Sequence, residues 1–384
     1  MRHHRPEPRQ QSSLGTIQDR QQALASRYPD WRPRTLDALF DTVATRHPER
    51  PYVVTDDRSW TYREICDWSL RLAAGLVKSG VRPGDHVALL MANYPEFVAT
   101  KIAIARAGAV AIPVNFLNRR DELGYVLRQS DAVLLITMDR FRGLEYLEFL
   151  DELAPDWRRH GGGNALPRLQ KVIVHPTQGG AVPDGVETLE AFGADAGPWQ
   201  PVEHPGPHSN CDIIYTSGTT GSPKGVMITH DMMLRTAFGS AWGRAFEDAR
   251  RILFSLPMYH VYGYVEGMLS VLFVGGSIVP QLQFSAAATL DGIERHRATD
   301  VLLIPTMTLA LIDEQKKHRR GLPTLHSMIS SGGRSPAYIW DQIDEFLGPD
   351  ELTTGYGMTE VTASSTVTRP DDPKERRLNT NGRL

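Results

Sequence analysis

The sequence predicts an α/β fold whose strands pair mostly in parallel, arranged as two halves around a loop-rich seam. Short apolar runs alternate with amphipathic helices along most of the chain, as they do in repeated βαβ units. The runs are apolar throughout, which is typical of strands covered on both faces. Residues 161–165 and 178–207 are rich in Gly and Pro, and we interpret them as loops around this seam.

Composition narrows the class of protein. The 384 residues are sufficient for two or three domains. Lys and Arg total 42 against 45 for Asp and Glu, a net charge of −3, so nothing in the overall charge predicts binding to nucleic acid or an anionic membrane. Two cysteines, Cys66 and Cys211, cannot staple a chain of this size and indicate a reducing compartment. Without a long apolar run or an apolar signal core, we expect a soluble cytoplasmic protein.

The predicted elements begin after a polar segment. The polar composition of residues 1–33 predicts a flexible leader. We interpret this leader as a solvated tail rather than as a basic arm that binds a partner. The first α/β subdomain, 34–208, contains a helix that starts near Thr61, because Thr61 and Glu64 have the spacing of a capping box. Apolar residues then recur at spacings of three and four, and Gly80 ends the helix.

A βαβ unit follows, with a strand over 86–91, a helix that has Pro95 in its first turn, and a strand over 109–114. The other elements predicted in this half are a helix over 121–129 and strands over 132–137 and 171–174. The second α/β subdomain, 209–360, repeats the pattern with strands over 212–216, 252–256, 300–304 and 325–330. The tail, 369–384, is polar and predicts no helix or strand.

The strongest functional signal is a glycine-rich segment directly after the strand over 212–216. Its candidate phosphate-binding residues are Thr216, Ser217, Gly218, Thr219, Thr220, Gly221 and Lys224. Glycines let the backbone approach a ligand, hydroxyls and amides donate to phosphate oxygens, and Lys224 supplies a cation. The spacing differs from a Walker A loop, because Gly218 and Gly221 are too close and Gly225 follows Lys224. The segment predicts a polyphosphate site, with a surface turn as the alternative.

Residues 217–225 also match the complete core Ser-Gly-Thr-Thr-Gly-x-Pro-Lys-Gly. The segment therefore resembles the signature loop of the adenylate-forming superfamily, which includes acyl-CoA synthetases, luciferases and peptide-synthetase adenylation domains. The resemblance runs from about Thr35 onward and implies two stacked α/β subdomains (αβαβα), with 361–384 as the start of a β-rich third subdomain. It further implies that the ribose-binding aspartate and the catalytic lysine of a small carboxyl-terminal domain lie beyond this sequence.

A second segment, 354–360, resembles the superfamily's Tyr-Gly-x-Thr-Glu motif. The resemblance assigns Tyr356 to stacking on adenine, Thr359 to the α-phosphate and Glu360 to Mg²⁺, chemistry that suits these side chains. It also assigns Gly355 and Gly357 to the nucleotide site. If this segment were the only motif, the simpler interpretation would be that Tyr356 is a core aromatic residue and Glu360 is a solvated carboxylate.

A third segment, 330–334, resembles the loop that borders adenine and the acyl pocket. Gly332 and Gly333 match the superfamily and are assigned to both the nucleotide and the substrate. Arg334 stands where the superfamily usually has a small residue, and we expect it to face solvent rather than an acidic substrate.

A fourth segment, 256–263, resembles the motif Pro-x-x-His-x-x-Gly that precedes a helix lining the acyl site. The resemblance implies that His260 positions the carboxylate of the acid and that Tyr262 forms part of an apolar wall. Residues 257–267 contain Glu266 but lack the aspartate that amino-acid-activating domains use. This favours an acid without an α-amino group.

Together the motifs imply the large-domain portion of an acid–CoA ligase, weak or inactive by itself. A fatty or aryl acid would attack ATP with the help of Mg²⁺, releasing pyrophosphate, and coenzyme A would then displace AMP. The implied catalytic residues are His260, Lys224 and Thr359. A carrier-protein thiol is the alternative acceptor, and a non-catalytic nucleotide-binding module is the alternative from another class. The acid and the oligomeric state stay open.

Overall fold

The computed structural model describes residues 14–177, 182–216, 222–333 and 335–383. The α-helices of this part are α1 (Ile17–Arg27), α2 (Leu36–Arg46), α3 (Tyr62–Lys78), α4 (Pro95–Arg106), α5 (Arg120–Gln129), α6 (Tyr146–Leu153), α7 (Trp157–His160), α8 (His230–Gly243), α9 (Ala286–Arg295), α10 (Pro305–Lys317), α11 (Ala337–Phe346) and α12 (Lys374–Asn379). A π-helix spans Tyr262–Leu269, and 3₁₀ turns span Ser270–Val274 and Thr359–Val361.

The strands are β1 (Pro51–Val54), β2 (Ser59–Thr61), β3 (His86–Leu90), β4 (Val110–Pro113), β5 (Leu134–Met138), β6 (Arg140–Phe141), β7 (Leu144–Glu145), β8 (Lys171–His175), β9 (Glu187–Thr188), β10 (Asn210–Thr216), β11 (Lys224–Thr229), β12 (Arg251–Phe254), β13 (Ser277–Pro280), β14 (Asp300–Leu303), β15 (Ser327–Ser330), β16 (Glu351–Thr353), β17 (Gly355–Met358) and β18 (Ala363–Val367).

Fourteen of these strands form two sheets within the described residues. The first sheet has the order β11-β10-β4-β3-β5-β8-β9, and the second has the order β2-β1-β13-β12-β14-β15-β16. Neighbours run parallel in both sheets, except that β11 is antiparallel to β10 and β2 is antiparallel to β1. The prediction of an α/β fold with mostly parallel sheets is confirmed.

Helices lie between the two sheets. Lys101 of α4 pairs with Asp212 of β10 in the first sheet, and its ammonium lies 5.0 Å from the ring centre of Tyr264 in the π-helix. On the other side, the Tyr52 hydroxyl of β1 in the second sheet donates to the carbonyl of Met268 in the π-helix at 3.0 Å. A separate apolar cluster packs α9, α10 and α11 against the second sheet. The layers thus run helix, sheet, helix, sheet, helix.

The local predictions in the first half are confirmed. The Thr61 side chain accepts from the amide of Glu64, and the Glu64 carboxylate accepts from the amide of Thr61 at 2.7 Å, which completes the capping box of α3. Gly80 follows that helix with a φ of +90°. Pro95 is the first residue of α4, between β3 and β4, as the βαβ pattern predicts.

The predicted leader contains a helix, which corrects the expectation for part of 1–33. Helix α1 begins with a capping box between Thr16 and Asp19, and it buries Arg20 and Leu24. The Arg20 guanidinium donates to the carboxylate of Glu351 at the start of β16. The polar composition concealed this helix because a buried, ion-paired arginine cannot be told from a surface arginine in the sequence. Residues 1–13 lie outside the described part.

The division of the strands differs from the predicted boundary at 208/209. Strands β1 and β2 precede it but belong to the second sheet, whereas β10 and β11 follow it but belong to the first. The strands that flank the glycine-rich segment therefore belong to the first sheet, not to the second as predicted. Hydrophobic periodicity locates a strand without identifying its partners, so this exchange could not be seen in the sequence.

The tail also differs from the prediction. Helix α12 lies inside the segment predicted to have no helix, and Arg383 forms an isolated bridge with Val367. Strand β18 pairs with β17, so 363–367 continues a hairpin that starts at Gly355. In the part of the chain that the structure describes, no helix is both long and apolar enough to cross a membrane.

Candidate functional site

Three predicted site segments lie along one edge of the second sheet. The segments around His260, around Gly332 and Gly333, and around Tyr356 follow β12, β15 and β16. These strands are parallel, so their ends define one edge, the carboxyl edge of the second sheet. Contacts join the segments: the amide of Ser331 donates to the carbonyl of Leu303 at 3.1 Å, and its hydroxyl donates to the carbonyl of Gly355 at 2.5 Å. The Tyr262 hydroxyl donates to the same Leu303 carbonyl at 3.0 Å.

Asn93 connects this edge to the carboxyl edge of the first sheet. It follows β3, and its side-chain amide donates to the carbonyl of Leu256 at 3.0 Å while its carbonyl accepts from the amide of Met258 at 2.9 Å. A second contact is aromatic, between Phe116 after β4 and Tyr259 after β12, with ring centres 5.1 Å apart. The ends of the parallel strands in the two sheets therefore face each other.

The strands on either side of the glycine-rich segment meet at the carboxyl edge of the first sheet. Thr216 ends β10, Lys224 begins β11, and the two residues are paired across the hairpin. Lys224 is exposed. Among the described residues, no hydrogen bond or ion pair links Thr216 or Lys224 to the three segments of the second sheet. The other predicted contacts, Ser217, Gly218, Thr219, Thr220 and Gly221, lie outside the described residues.

The base of this hairpin requires glycine at one position. A Cβ on Gly225 would lie 2.6 Å from the Cγ2 of Ile213 on the opposite strand, which is closer than real Cβ contacts. The Tyr125 hydroxyl of α5 donates to the carbonyl of Pro223 at 3.0 Å. The close approach of the two strands at Gly225 and the hydrogen bond from Tyr125 together fix the backbone next to Lys224.

A buried ion pair between Lys101 and Asp212 anchors β10 to α4. This pair was not predicted from the sequence. Lys101 and Asp212 are 1% and 0% exposed, and their side chains are hydrogen-bonded. Burial raises the pKa of the Asp212 carboxyl, while the charge of Lys101 opposes that shift. Because Lys101 also contacts the ring of Tyr264, the pair joins β10 to the π-helix that follows His260.

His260 has a defined hydrogen-bonding state. Its Nδ1 accepts from the backbone amide of Tyr262 at 3.2 Å. In the neutral imidazole the proton then lies on Nε2, which becomes a donor. Burial lowers the pKa of His260, although part of the residue is exposed, and so favours that neutral form. A neutral donor of this kind can bind a carboxylate oxygen.

The helix after His260 starts in an unusual conformation. Tyr262 begins the π-helix, a form found frequently at functional sites. Its hydroxyl is held by the Leu303 carbonyl, and burial raises its pKa, so Tyr262 can offer a ligand only its ring. A Cβ on Gly263 would lie 2.5 Å from the carbonyl oxygen of Pro257, which explains the glycine in this motif.

The segment with Tyr356 forms the hairpin β17–β18. The Tyr356 side chain is 52% exposed, so its ring is available for stacking. A Cβ on Gly357 would lie 1.6 Å from the Ala363 carbonyl oxygen, and a Cβ on Gly355 would lie 2.8 Å from that of Thr366. Both glycines are therefore required by close backbone approach within the hairpin.

The tip of this hairpin carries the other two predicted residues. Thr359 is 5% exposed and Glu360 is exposed. The described residues contain no cluster of three or more His, Cys, Asp or Glu side chains that could hold a metal. Glu360 alone still fits Mg²⁺, which usually takes one or two carboxylates and completes its shell with water and substrate phosphates.

The loop after β15 depends on a positive backbone angle. Gly332 has a φ of +85°, which a residue with a side chain rarely adopts, and both Gly332 and Gly333 are exposed. A Cβ on Gly332 would also lie 3.3 Å from the Cγ2 of Ile304. Arg334, which the sequence predicts to face solvent, lies outside the described residues.

Two residues that organise the site were missed in the sequence. Asn93 connects the two carboxyl edges, and Ser331 connects the loop after β15 to the Tyr356 hairpin. Asn93 could have been noticed as a polar residue directly after a predicted strand, where ligand sites of α/β folds form. Ser331 was part of a quoted motif, but its partner Gly355 could not be identified from spacing.

Comparison with known proteins identifies the family that this chain matches. The family model described as AMP-binding enzyme matches residues 40–384. YngI of Bacillus subtilis, which is named as an acyl-CoA synthetase, is 32% identical over 91% of this chain and 65% of its own length. The mitochondrial medium-chain acyl-CoA ligase ACSF2 of Danio rerio is 27% identical over 91% of this chain and 59% of its own length.

A solved structure has the same fold. The anthranilate CoA ligase AuaEII, crystallised with anthranoyl-AMP, superposes with a TM-score of 0.82 at 23% identity, over 92% of this chain and 65% of that one. The chain spans between 59% and 65% of the length of these three proteins. Because the family model matches residues 40–384, the chain belongs to the AMP-binding enzyme family.

Proposed function

We propose that this chain forms the nucleotide- and acid-binding portion of an ATP-dependent, AMP-forming acid–CoA ligase. The observation that carries the proposal is the meeting of the two carboxyl edges at Asn93. His260 and the Tyr356 hairpin lie on one of these edges, and Thr216 and Lys224, paired across β10 and β11, lie at the other.

In the first step, a carboxylate oxygen attacks the α-phosphorus of ATP, the bond to the β-phosphate bridging oxygen breaks, and pyrophosphate leaves. The Nε2–H of His260 would donate to the other carboxylate oxygen and orient the acid. Lys224 and the hydroxyl of Thr216 would bind the phosphates, and Thr359 would meet the α-phosphate. The exposed ring of Tyr356 would stack on adenine, with Gly355, Gly357, Gly332 and Gly333 allowing close approach.

When bound, Mg²⁺ would neutralise charge on the phosphate oxygens, and Glu360 is the described residue that suits it. In the second step, the thiolate of coenzyme A attacks the acyl carbon, and AMP leaves with the electrons of the broken acyl–oxygen bond. A carrier-protein thiol would react in the same way and is the alternative acceptor.

The acid is proposed to be fatty or aryl. The relatives act, by name, on a medium-chain acid in one case and on anthranilate in another. In this chain, the rings of Tyr259 and Tyr262 flank His260 in sequence and supply apolar surface for either kind of acid. The two unpaired cysteines support a cytoplasmic location.

The test measures ATP binding by this chain, and it measures acid-dependent exchange of pyrophosphate into ATP, over a panel of fatty and aryl acids, in a fusion of this chain to the small carboxyl-terminal domain that supplies the lysine in the adenylate-forming superfamily. His260→Ala should keep ATP binding within about twofold and lower exchange roughly a hundredfold, because one oriented donor is lost. His318→Ala, an exposed histidine at the end of α10, is the matched control and should behave like the wild type.

The outcomes separate the candidate functions. ATP binding without exchange for any acid would favour the non-catalytic nucleotide-binding module. Absence of ATP binding at millimolar nucleotide with Mg²⁺ would contradict the site itself. Thioester formation with a carrier protein but not with coenzyme A would replace the proposed acceptor by the alternative.

A further inference from the structure

Four arginines line a pocket of about 230 Å³ between the end of α1, the loop over 28–34 and helix α2. The arginines are Arg27, Arg32, Arg34 and Arg46, and we call this feature the arginine pocket. Asp30 is the one carboxylate among its described lining residues. The pocket therefore carries an excess of positive charge.

Three of the four arginines have no carboxylate partner. Arg27 lies 3.3 Å from Asp248, but within the described chain Arg32, Arg34 and Arg46 form no ion pair. Elsewhere on the described surface some arginines are paired, such as Arg58 with Glu64 at 2.7 Å and Arg63 with Glu49 at 2.8 Å, and others, such as Arg82, are not. The unpaired guanidiniums retain free donors for an anion.

The pocket is held by packing. The Arg34 guanidinium lies 5.4 Å from the ring centre of Tyr28 and 5.9 Å from that of Trp31. The Tyr28 ring packs edge-on against Phe238 of α8 and Phe273 of the following 3₁₀ turn, at 5.6 and 5.2 Å. Arg34 is thus positioned before any ligand arrives, which lowers the entropic cost of binding.

Part of the repulsion among these charges is compensated. Arg27 and Arg46 are the last residues of α1 and α2, where the helix dipole favours a cation. Arg32 and Arg34 lie outside helices and have no such compensation. Burial lowers the pKa of His47, next to Arg46; Arg50, Arg46 and Arg27 lower it further, while Asp248 opposes the shift.

The arginine pocket lies away from the proposed catalytic site. Asp248, which pairs with Arg27, precedes β12, whereas His260 follows that strand. The four residues of β12 lie between Asp248 and His260 and by themselves span about 13 Å from the amino edge to the carboxyl edge of the second sheet. The pocket's lining residues before position 40 also lie outside the match to the AMP-binding enzyme family. A ligand here would be distinct from ATP in the proposed site.

We propose that the arginine pocket binds a phosphate-bearing anion. Guanidinium groups bind phosphate oxygens through paired N–H donors, and several unpaired forks in one small pocket match the charge and geometry of phosphate better than those of a single carboxylate. The same chemistry is presented by a free phosphate compound and by an anionic phospholipid headgroup. The experiment distinguishes these sources.

The test uses the 384-residue chain at constant ionic strength. One arm titrates inorganic phosphate by calorimetry, and the other measures co-sedimentation with phosphatidylglycerol-containing vesicles against pure phosphatidylcholine vesicles. The variant is Arg32→Ala with Arg46→Ala. The control, Arg58→Ala with Arg63→Ala, removes the same charge from two exposed arginines that have partners.

The pocket variant should weaken binding at least about tenfold, because charge-assisted hydrogen bonds are lost, while the control changes it less than twofold. Loss in the vesicle arm assigns the ligand to a lipid headgroup, and loss in the phosphate arm assigns it to a soluble phosphate compound. The proposal is overturned if the wild-type chain binds in neither arm, or if the two double variants lose binding equally.

Discussion

At the amino edge of the second sheet, buried charged side chains are paired with one another, whereas at its carboxyl edge the polar groups of the candidate site are mostly left open. Arg250, just before β12, is fully buried and contacts Asp300 of β14 at 3.1 Å and Glu247 at 2.7 Å. Glu351 of β16 accepts from both Arg250 and Arg20. Burial alone would raise the pKa of Glu247, but Arg250 holds it well below its usual range.

The carboxyl edge has the opposite character. Gly332, Gly333, Tyr356 and Glu360 are exposed, whereas buried polar groups beside them, such as Ser331 and Asn93, have their hydrogen bonds satisfied. One edge thus fixes the strands, while the other keeps donors and backbone accessible to a ligand. This division predicts that mutations at the amino edge change stability, and those at the carboxyl edge change ligand binding.

The largest expected effect is at Asp300. Asp300→Asn should lower the free energy of unfolding by about 3–5 kcal/mol, because Arg244 loses its buried counter-charge and Arg250 loses one of its three carboxylate partners. Chemical denaturation measures the change. Glu49→Gln is the matched control, since Glu49 is 76% exposed beside Arg63, and it should change stability by less than about 0.5 kcal/mol.

Equal losses for the two variants would mean that the network at the amino edge is not a special source of stability. A stable Asp300→Asn variant that lost ATP binding would reverse the comparison between the edges.

The next effect is at Gly357. Gly357→Ala should open the β17–β18 hairpin, because the added Cβ would lie 1.6 Å from the Ala363 carbonyl oxygen. We expect a loss of about 2–3 kcal/mol in stability, with ATP affinity reduced beyond detection. Gly239→Ala is the control: nothing lies within 4 Å of its added Cβ, and a helical Ala should stabilise α8.

Thermal unfolding and ATP titration of both variants decide the matter. Unchanged ATP affinity in Gly357→Ala would remove the Tyr356 hairpin from the nucleotide site.

A third prediction concerns a neutral polar group of the interior. His230 accepts at Nδ1 from the amide of Leu36 at 3.1 Å, and burial lowers its pKa to about 3. Between its unfolded pKa of 6.5 and this value, only the unfolded chain binds the proton, so stability falls as pH decreases. The slope from this group approaches about 1.4 kcal/mol per pH unit below pH 6.

His230→Asn retains an acceptor for Leu36 but cannot titrate, so its stability should depend less on pH over this interval. Denaturation curves at several pH values measure the difference, and His318→Asn, at an exposed position, should follow the wild type. Parallel pH profiles for wild type and His230→Asn would contradict the assignment.

Much of the fold could be predicted because its signals are local. The Thr61 capping box, Pro95 at the start of α4 and the apolar strands of the βαβ unit all depend on residues close in sequence. By contrast, β1 and β2 join the second sheet and β10 and β11 join the first, against the predicted order. These pairings link residues far apart in sequence, and hydrophobic periodicity does not encode them. Helix α1 was missed because Arg20 is buried only through Glu351, which is 331 residues away.

The site follows the same rule. His260 and Tyr356 were found because each lies in a recognisable motif, and glycines within the motifs proved necessary for close backbone contact. Asn93 was missed because its three partners come from other strand ends. The arginine pocket was missed because it forms where two helix ends and a loop converge, and the sequence presents its members only as scattered surface residues.

The smallest expected effect distinguishes a structural from a ligand-positioning hydroxyl at the carboxyl edge. Ser331→Ala removes the hydrogen bond to the Gly355 carbonyl and should cost about 1 kcal/mol of stability. Because this bond joins the loop after β15 to the Tyr356 hairpin, ATP affinity should also fall about fivefold, which corresponds to a similar free energy. Ser365→Ala is the control, since its hydroxyl donates to Tyr356 from an exposed position at 3.2 Å. If both variants bind ATP as the wild type does, the hairpin is positioned by its backbone alone, and the carboxyl edge would then resemble the amino edge in being fixed independently of its ligand.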